Sequence, residues 1–260
     1  DLSLDRIKAL LNKLGNPHLN LSPTIHIAGT NGKGSTLSYL KHILNFNGYS
    51  VNAYISPHLS KFNERIVLNN KEVSTHKLLT CLQYVKSVNQ GEPITFFEIT
   101  TAAAFLLFAK TKADFLILET GLGGRLDATN VIPKSLVSII TPISYDHEDF
   151  LGNSIKKITS EKLGIIKKNN YDMVINISTK PNIYGSFVAK LAGVNKIMCS
   201  VWGLGLMFSG DNKIKSIILK AIASSLYYIA FKVSNHIWFT NKIDLDYFIS
   251  SKIIDEKKYI

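Results

Sequence analysis

Residues 24–46 constrain the fold more than any other stretch of the chain. Thr24 to Ala28 is a short apolar, β-branched run that reads as a strand. Gly29-Thr30-Asn31-Gly32-Lys33-Gly34-Ser35-Thr36 follows, and a helical pattern runs from Ser35 to about Phe46, where Gly48 breaks it. A strand feeding through a glycine-rich turn into a helix opens a βα unit, which is stable only within a parallel sheet packed by helices. The turn also carries chemistry. Glycines let the backbone curl so that successive N–H groups point inward, and the helix start adds unpartnered N–H groups and a partial positive charge. Lys33 can reach outer phosphates, and a Ser or Thr hydroxyl can meet Mg²⁺. The spacing departs from the strict phosphate-loop pattern, because Ile27 stands at the first glycine position and Gly34 follows the lysine. A plain glycine-rich connection is the bland alternative. The embedded lysine and both flanking elements favour phosphate binding.

The remainder alternates in the same way. Leu4, Ile7, Leu10, Leu11 and Leu14 repeat at helical spacing, closed by Gly15 and Pro17. Tyr49 to Ile55 reads as a second strand, with helices around Leu78 to Val85 and from Phe97 to Lys110. Phe115 to Leu118 and Leu136 to Ile140 are continuous apolar runs, as expected of buried parallel strands. Ser154 to Ile166 reads as a helix, Met173 to Ile177 as a strand and Ile214 to Phe231 as a long helix. The expectation is a three-layer α/β domain whose parallel sheet is covered on both faces.

Composition excludes several alternatives. At 260 residues and 46% hydrophobic the chain can bury a sizeable core. Cys81 and Cys199 have no metal-type spacing and are expected to be free thiols in the cytoplasm. Neither Ile99 to Ala109 nor Ile217 to Phe231 is long enough to span a bilayer, so no membrane partner is expected. The formal charge of +11 is spread through both halves without aromatic interleaving. It reads as a solvated, lysine-rich surface or attraction to small anions, not as a nucleic-acid groove.

The turn Gly29 to Ser35, with Ile25-His26-Ile27-Ala28 before it, resembles that of the Mur-ligase superfamily in its folate branch, the dihydrofolate synthase/folylpolyglutamate synthase family. Further segments match that branch in order: Leu14 to His18, Ser56-Pro57-His58-Leu59 with Phe62 to Ile66, and Thr95-Phe96-Phe97-Glu98. The longest is Leu118-Glu119 with Gly121 to Asn130, followed by Asp146-His147, Leu151-Gly152 and Glu161-Lys162 with Gly164 to Lys167. The resemblance runs from about residue 4 to residue 168. It implies a central-type ATPase domain over residues 1–245, and a tail near an interdomain linker over 246–260. It further implies ATP binding by Gly29 to Thr36, and metal binding by Ser56, Glu119, His147 and a carbamylated Lys162. The folate pocket would be formed by Thr95, Phe96, Phe97, Glu98, Leu126, Asp127 and Ala128. Lys33 and Lys162 are the catalytic residues it implies. By composition alone Lys162 is a surface helix lysine.

The implied reaction uses Mg²⁺ and ATP to convert the carboxylate of dihydropteroate or a folate to an acyl phosphate, which the amine of L-glutamate attacks. A monomer is expected. Nothing in the chain matches the family's Gly-Arg linker or second Rossmann-like domain, so that domain is expected to be absent. Gly210 to Ser216 looks like a degraded form of the adenine-binding segment, with Ser216 in place of an asparagine. The alternative is therefore a non-catalytic remnant that at most binds nucleotide.

Overall fold

A computed structural model of the protein describes residues 3–167, 172–203, 214–254 and 259. The first part carries α1 (Asp5–Lys13), β1 (Thr24–Ala28), α2 (Lys33–Phe46), β2 (Val51–Tyr54), β3 (Ile66–Leu68) and β4 (Lys71–Glu72). Then come α3 (Thr75–Asn89), α4 (Phe96–Lys110), β5 (Phe115–Glu119), β6 (Val137–Ile140), α5 (Glu148–Leu151), α6 (Ile155–Lys162) and α7 (Gly164–Lys167). The last part holds β7 (Met173–Ile177), α8 (Ser186–Leu191), β8 (Lys196–Val201), α9 (Ile214–Val233), β9 (His236–Phe239) and α10 (Lys242–Ser250).

The strands form one nine-stranded sheet in the order β4-β3-β2-β5-β1-β6-β7-β8-β9. β1 lies between β5 and β6, parallel to both, and all five of its residues are buried. The register pairs Ile27 with Glu119 and Ala28 with Ile140, so the carboxyl ends of the three strands share one edge. Ligands of open α/β sheets bind at that edge. Ile25 and Ile27 face Leu37 of α2 on one side of the sheet. Tyr54, Leu116 and Leu118 face the apolar helix α4 and its neighbour α3 on the other.

Three features depart from the sequence reading. The sheet is mixed, because β3 runs antiparallel to β2 and β4 antiparallel to β3. Asn69 and Asn70 have φ of 47° and 68°, the left-handed pair that a two-residue hairpin turn requires. Second, the helix expected over Ser154 to Ile166 is broken at Leu163 into α6 and α7. Third, among the described residues, cover on both faces stops at β6. α6 to α10 pack against Val174, Ile197, Cys199, Val201, Ile237 and Phe239, all on one face. Alternation puts Met173, Ile175, Ile177 and Met198 on the opposite face, where they are half-exposed, and His236 and Trp238, which are exposed. Successive right-handed crossovers in one direction lay every helix on the same side, which accounts for the bare face.

The division expected between residues 245 and 246 falls inside α10, whose Phe248 is buried against Tyr227, Phe231 and Phe239. Beyond α10, Ile253 and Ile254 are buried in the same cluster and Tyr259 bridges to Ile237. Gly210 to Lys213 lie outside the described residues, as do the side chains of Ile214 to Ser216, so the structure says nothing of the expected adenine-contacting segment. Among the described residues, no helix is long and apolar enough to cross a membrane.

Candidate functional site

The turn after β1 sits where the sheet edge opens. Thr30 and Asn31 donate their N–H groups to the Pro142 carbonyl (2.9 and 3.4 Å), which ties the turn to the segment after β6. Gly32 takes φ of +83° as it enters α2, a conformation that favours glycine. Gly29 is required sterically: a Cβ there would collide with the Thr141 side chain. Lys33 Nζ folds back to donate to the carbonyls of Gly29 (3.1 Å) and Thr30 (3.2 Å). The result is a backbone cradle at a helix start with an ammonium over it, which suits a polyphosphate.

Two acidic or basic groups expected at the edge flank Lys33. Glu119 ends β5 and is 4% exposed, and its Oε2 accepts the Ser56 N–H at 3.2 Å. Burial pushes its carboxyl up to about 7, against the pull of that N–H and of the Lys33 charge. Lys162 is only 2% exposed, which overturns its reading as a surface lysine. Its Nζ donates to the Gly29 carbonyl at 3.0 Å and lies 3.6 Å from Asp146 Oδ2. Burial, aided by the Lys33 charge, brings its amine down to about 8. A less basic amine has a larger neutral, nucleophilic fraction, the form that reacts with carbon dioxide to give a carbamate.

The four expected metal ligands do not form a single cluster. Ser56 and Glu119 lie together, whereas His147 is turned outward with its side chain 54% exposed, 3.4 Å from the Asp146 carboxylate that also faces Lys162. Among the described residues, no three His, Cys, Asp or Glu side chains converge as a metal site. Glu119 does fit a hard cation by its chemistry, being a buried carboxylate beside the phosphate cradle with a single N–H donor.

In the metal-free protein Glu119 should make stability depend on pH. Its folded pKa lies above the unfolded value, so between about pH 4.5 and 7 the native state holds a proton that the unfolded chain has released. Stability conferred by that proton falls as pH rises through this window. His26, whose folded pKa is brought down to about 3, acts in the opposite direction over part of this window, so the effect is read as a difference: from pH 5 to pH 8, urea unfolding should show wild type losing stability relative to Glu119→Gln. Equal pH dependence in both proteins would mean that the carboxyl titrates normally.

Two cavities meet at Ser56. One, of about 810 Å³, lies beside the phosphate turn and is bounded by Gly32, Gly34, Ser35, Ser56 and Glu119. The other, of about 720 Å³, is bounded by all seven residues expected to form a folate pocket, Thr95 to Glu98 and Leu126 to Ala128, together with Ser56. Phe97 packs near Tyr54 and Phe96 edge-on to Phe62, leaving ring surface along the cavity. Thr95 and Glu98 also close a capping box at the start of α4, where Thr95 Oγ1 accepts the Glu98 N–H and Glu98 Oε2 accepts the Thr95 N–H. Glu98 Oε1 is buried without a partner among the described residues, an acceptor left for a ligand.

Sequence reasoning missed Arg6, Arg65, Leu122 and Phe150 in this cavity. Arg6 reaches Glu98 Oε2 (3.1 Å) from α1, and Arg65 Nε donates to His58 Nδ1 at 2.9 Å. Arg65 lies in the matched Phe62 to Ile66 segment and Leu122 in the matched Gly121 to Asn130 segment, whereas Arg6 and Phe150 fall in no matched motif. Asp127 has both oxygens occupied: Oδ1 by the Thr129 N–H and hydroxyl, Oδ2 by the N–H groups of Gly121 (2.9 Å) and Leu122 (2.7 Å). It bounds the cavity and also braces its Gly121–Leu122 wall.

Known proteins resemble this arrangement. The chain is 44% identical over 173 residues to a dihydrofolate synthase/folylpolyglutamate synthase of Bacillus subtilis, covering 64% of this chain and 40% of that protein. It is 38% identical over 207 residues to a dihydrofolate synthetase of Saccharomyces cerevisiae, covering 78% and 46%. The chain is a relative of the dihydrofolate synthase/folylpolyglutamate synthase family. Among solved structures, E. coli FolC in complex with DHPP and ADP superimposes with a TM-score of 0.67 and 33% identity, covering 78% of this chain and 48% of that one. A bifunctional folylpolyglutamate synthase/dihydrofolate synthase with Mn, AMPPNP and L-glutamate bound matches with a TM-score of 0.65 and 33% identity, covering 78% and 48%. This folate-ligase relative thus spans less than half the length of the curated relatives it matches here. A second likeness lies further along: residues 136–241 match the family model "Glycosyl transferase 4-like". That stretch contains β6 to β9, the part of the sheet with one bare face.

Proposed function

We propose that this chain supplies the nucleotide and folate side of an ATP-dependent amide ligase joining L-glutamate to dihydropteroate or a folate. The supporting observation is that the phosphate-turn cavity and the aromatic cavity share Ser56, with Glu119 beside it. A γ-phosphate in the first and a carboxylate at the mouth of the second would be neighbours, the proximity that phosphoryl transfer needs.

In this reading the Gly29 to Thr36 backbone and Lys33 hold the β- and γ-phosphates of ATP. Phe96 and Phe97 pack on a pterin ring, and Glu98 Oε1 accepts one of its N–H groups. A carboxylate oxygen of the bound folate substrate attacks the γ-phosphorus, the bond to ADP breaks, and an acyl phosphate results. The glutamate amine then attacks the acyl carbon, losing a proton, and phosphate leaves. Glu119 and Ser56 are the residues that would hold Mg²⁺, with Lys162 joining them if carbamylated. When bound, the ion offsets charge on the phosphate oxygens. Lys33 steadies the transferred group.

The test is calorimetric titration with Mg-AMPPNP and dihydropteroate, followed by a ligation assay with Mg-ATP, dihydropteroate and L-glutamate. Binding of both ligands with amide formation supports the ligase. Binding of both with no amide formed supports the alternative, a nucleotide-binding protein that does not ligate. Failure to bind Mg-AMPPNP would overturn both.

A further inference from the structure

His26 lies at the centre of β1, fully buried, on the α4 face of the sheet and two residues before the phosphate turn begins at Ala28–Gly29. Its Nε2 is 2.8 Å from Thr129 Oγ1. The Thr129 hydroxyl has one proton, and it donates that proton to Asp127 Oδ1 at 2.5 Å. The imidazole must therefore be the donor in the first contact, which places its proton on Nε2. Its Nδ1 is buried without a partner, as an unprotonated nitrogen there can be at lower cost than an N–H. Burial also keeps the ring neutral, with its pKa brought down to about 3.

From Asp127 the chain of bonds continues to the N–H groups of Gly121 and Leu122, which bound the aromatic cavity. On its other side the same loop is held by α6, where the Arg125 N–H donates to the Glu161 carbonyl at 2.7 Å. We infer that His26 is a positioning residue: through Thr129 it orients the Asp127 carboxylate that holds the Gly121–Leu122 wall of the aromatic cavity. This rests on the proposed function for the identity of the cavity's ligand, not for the relay itself. Neither His26 nor Thr129 bounds either cavity, so neither touches the cavity's ligand directly. A half-satisfied buried network is unstable, so losing one link should loosen the rest.

Two readouts separate the relay from the ligand assignment. The first is amide hydrogen exchange at Gly121 and Leu122, with the ¹⁵N spectrum of the His26 ring. The second is the affinity for dihydropteroate against that for Mg-AMPPNP. Thr129→Val keeps the shape and removes the hydroxyl. It should speed exchange at both amides about tenfold and weaken dihydropteroate about tenfold, with Mg-AMPPNP affinity unchanged. His26→Leu should do the same. Thr129→Ser keeps the hydroxyl and His26→Gln offers an amide N–H donor, so each should restore most of the protection and affinity. Native exchange in Thr129→Val, or an Nδ1–H tautomer in wild type, would overturn the inference even if a variant misfolds. Equal weakening of both ligands would also overturn it, as general damage. If wild type binds no dihydropteroate, the ligand assignment fails while the exchange arm still reads the relay.

Discussion

Lys33→Ala is expected to lower Mg-nucleotide affinity on the order of 100-fold while leaving the circular dichroism spectrum unchanged. Lys33 Nζ bonds only to carbonyls of its own turn, at Gly29 and Thr30, so its removal exposes no distant buried group. Hydrogen bonds to charged groups contribute about 1.5–3 kcal/mol each, and the phosphate tail is the most highly charged part of the nucleotide. A loss near the upper end of that range corresponds to about two decades in affinity. Titration with Mg-AMPPNP is the measurement. Wild-type affinity in the variant would mean that the turn is a structural connection. Unfolding of the variant would mean that the lysine holds the edge of the sheet together, which its bonding pattern argues against.

Phe248→Ala is expected to cost about 3–5 kcal/mol of stability, the range for removing a fully buried aromatic ring. Phe248 lies on α10 with ring centroids 5.1 Å from Tyr227, 5.5 Å from Phe239 and 5.6 Å from Phe231. Net domain stabilities are only about 5–15 kcal/mol, so one substitution near the end of the chain removes a large share. Urea denaturation monitored by Trp202 and Trp238 fluorescence should show a lower midpoint. If residues 246–260 were a solvated tail, the change would stay within about 0.5 kcal/mol.

What could be read from the sequence follows from the range of the interactions involved. β1, α2, α4, β5 and β7 declare themselves by local pattern, and the structure places them within a residue or two of the expected bounds. The seven expected residues of the aromatic cavity lie in short contiguous segments, which a motif preserves. Composition alone puts Lys162 on the surface, because a lysine in the last turn of a polar helix looks solvent-facing; only the family resemblance points it inward. The contact that marks its buried position, with the Gly29 carbonyl, lies 133 positions away in sequence. Arg6 was missed for the same reason, since it meets Glu98 across 92 positions. β8 and β9 escape because their runs are short, each opens on a polar residue, Lys196 or His236, and their residues alternate between a covered and an open face. The two-residue β4 has no period to detect.

The position of β1 has a consequence for how the protein is made. The phosphate turn occupies the first part of the chain, yet both neighbours of β1 arrive much later, β5 ending at Glu119 and β6 at Ile140. As synthesis proceeds, β1 therefore waits with both edges unpaired. Lys162, which grips the Gly29 carbonyl, emerges later still. Pairings that span such long loops form slowly, and exposed strand edges are open to wrong partners in the meantime. The element that is easiest to recognise in the sequence thus cannot reach its working shape until residue 162 has emerged.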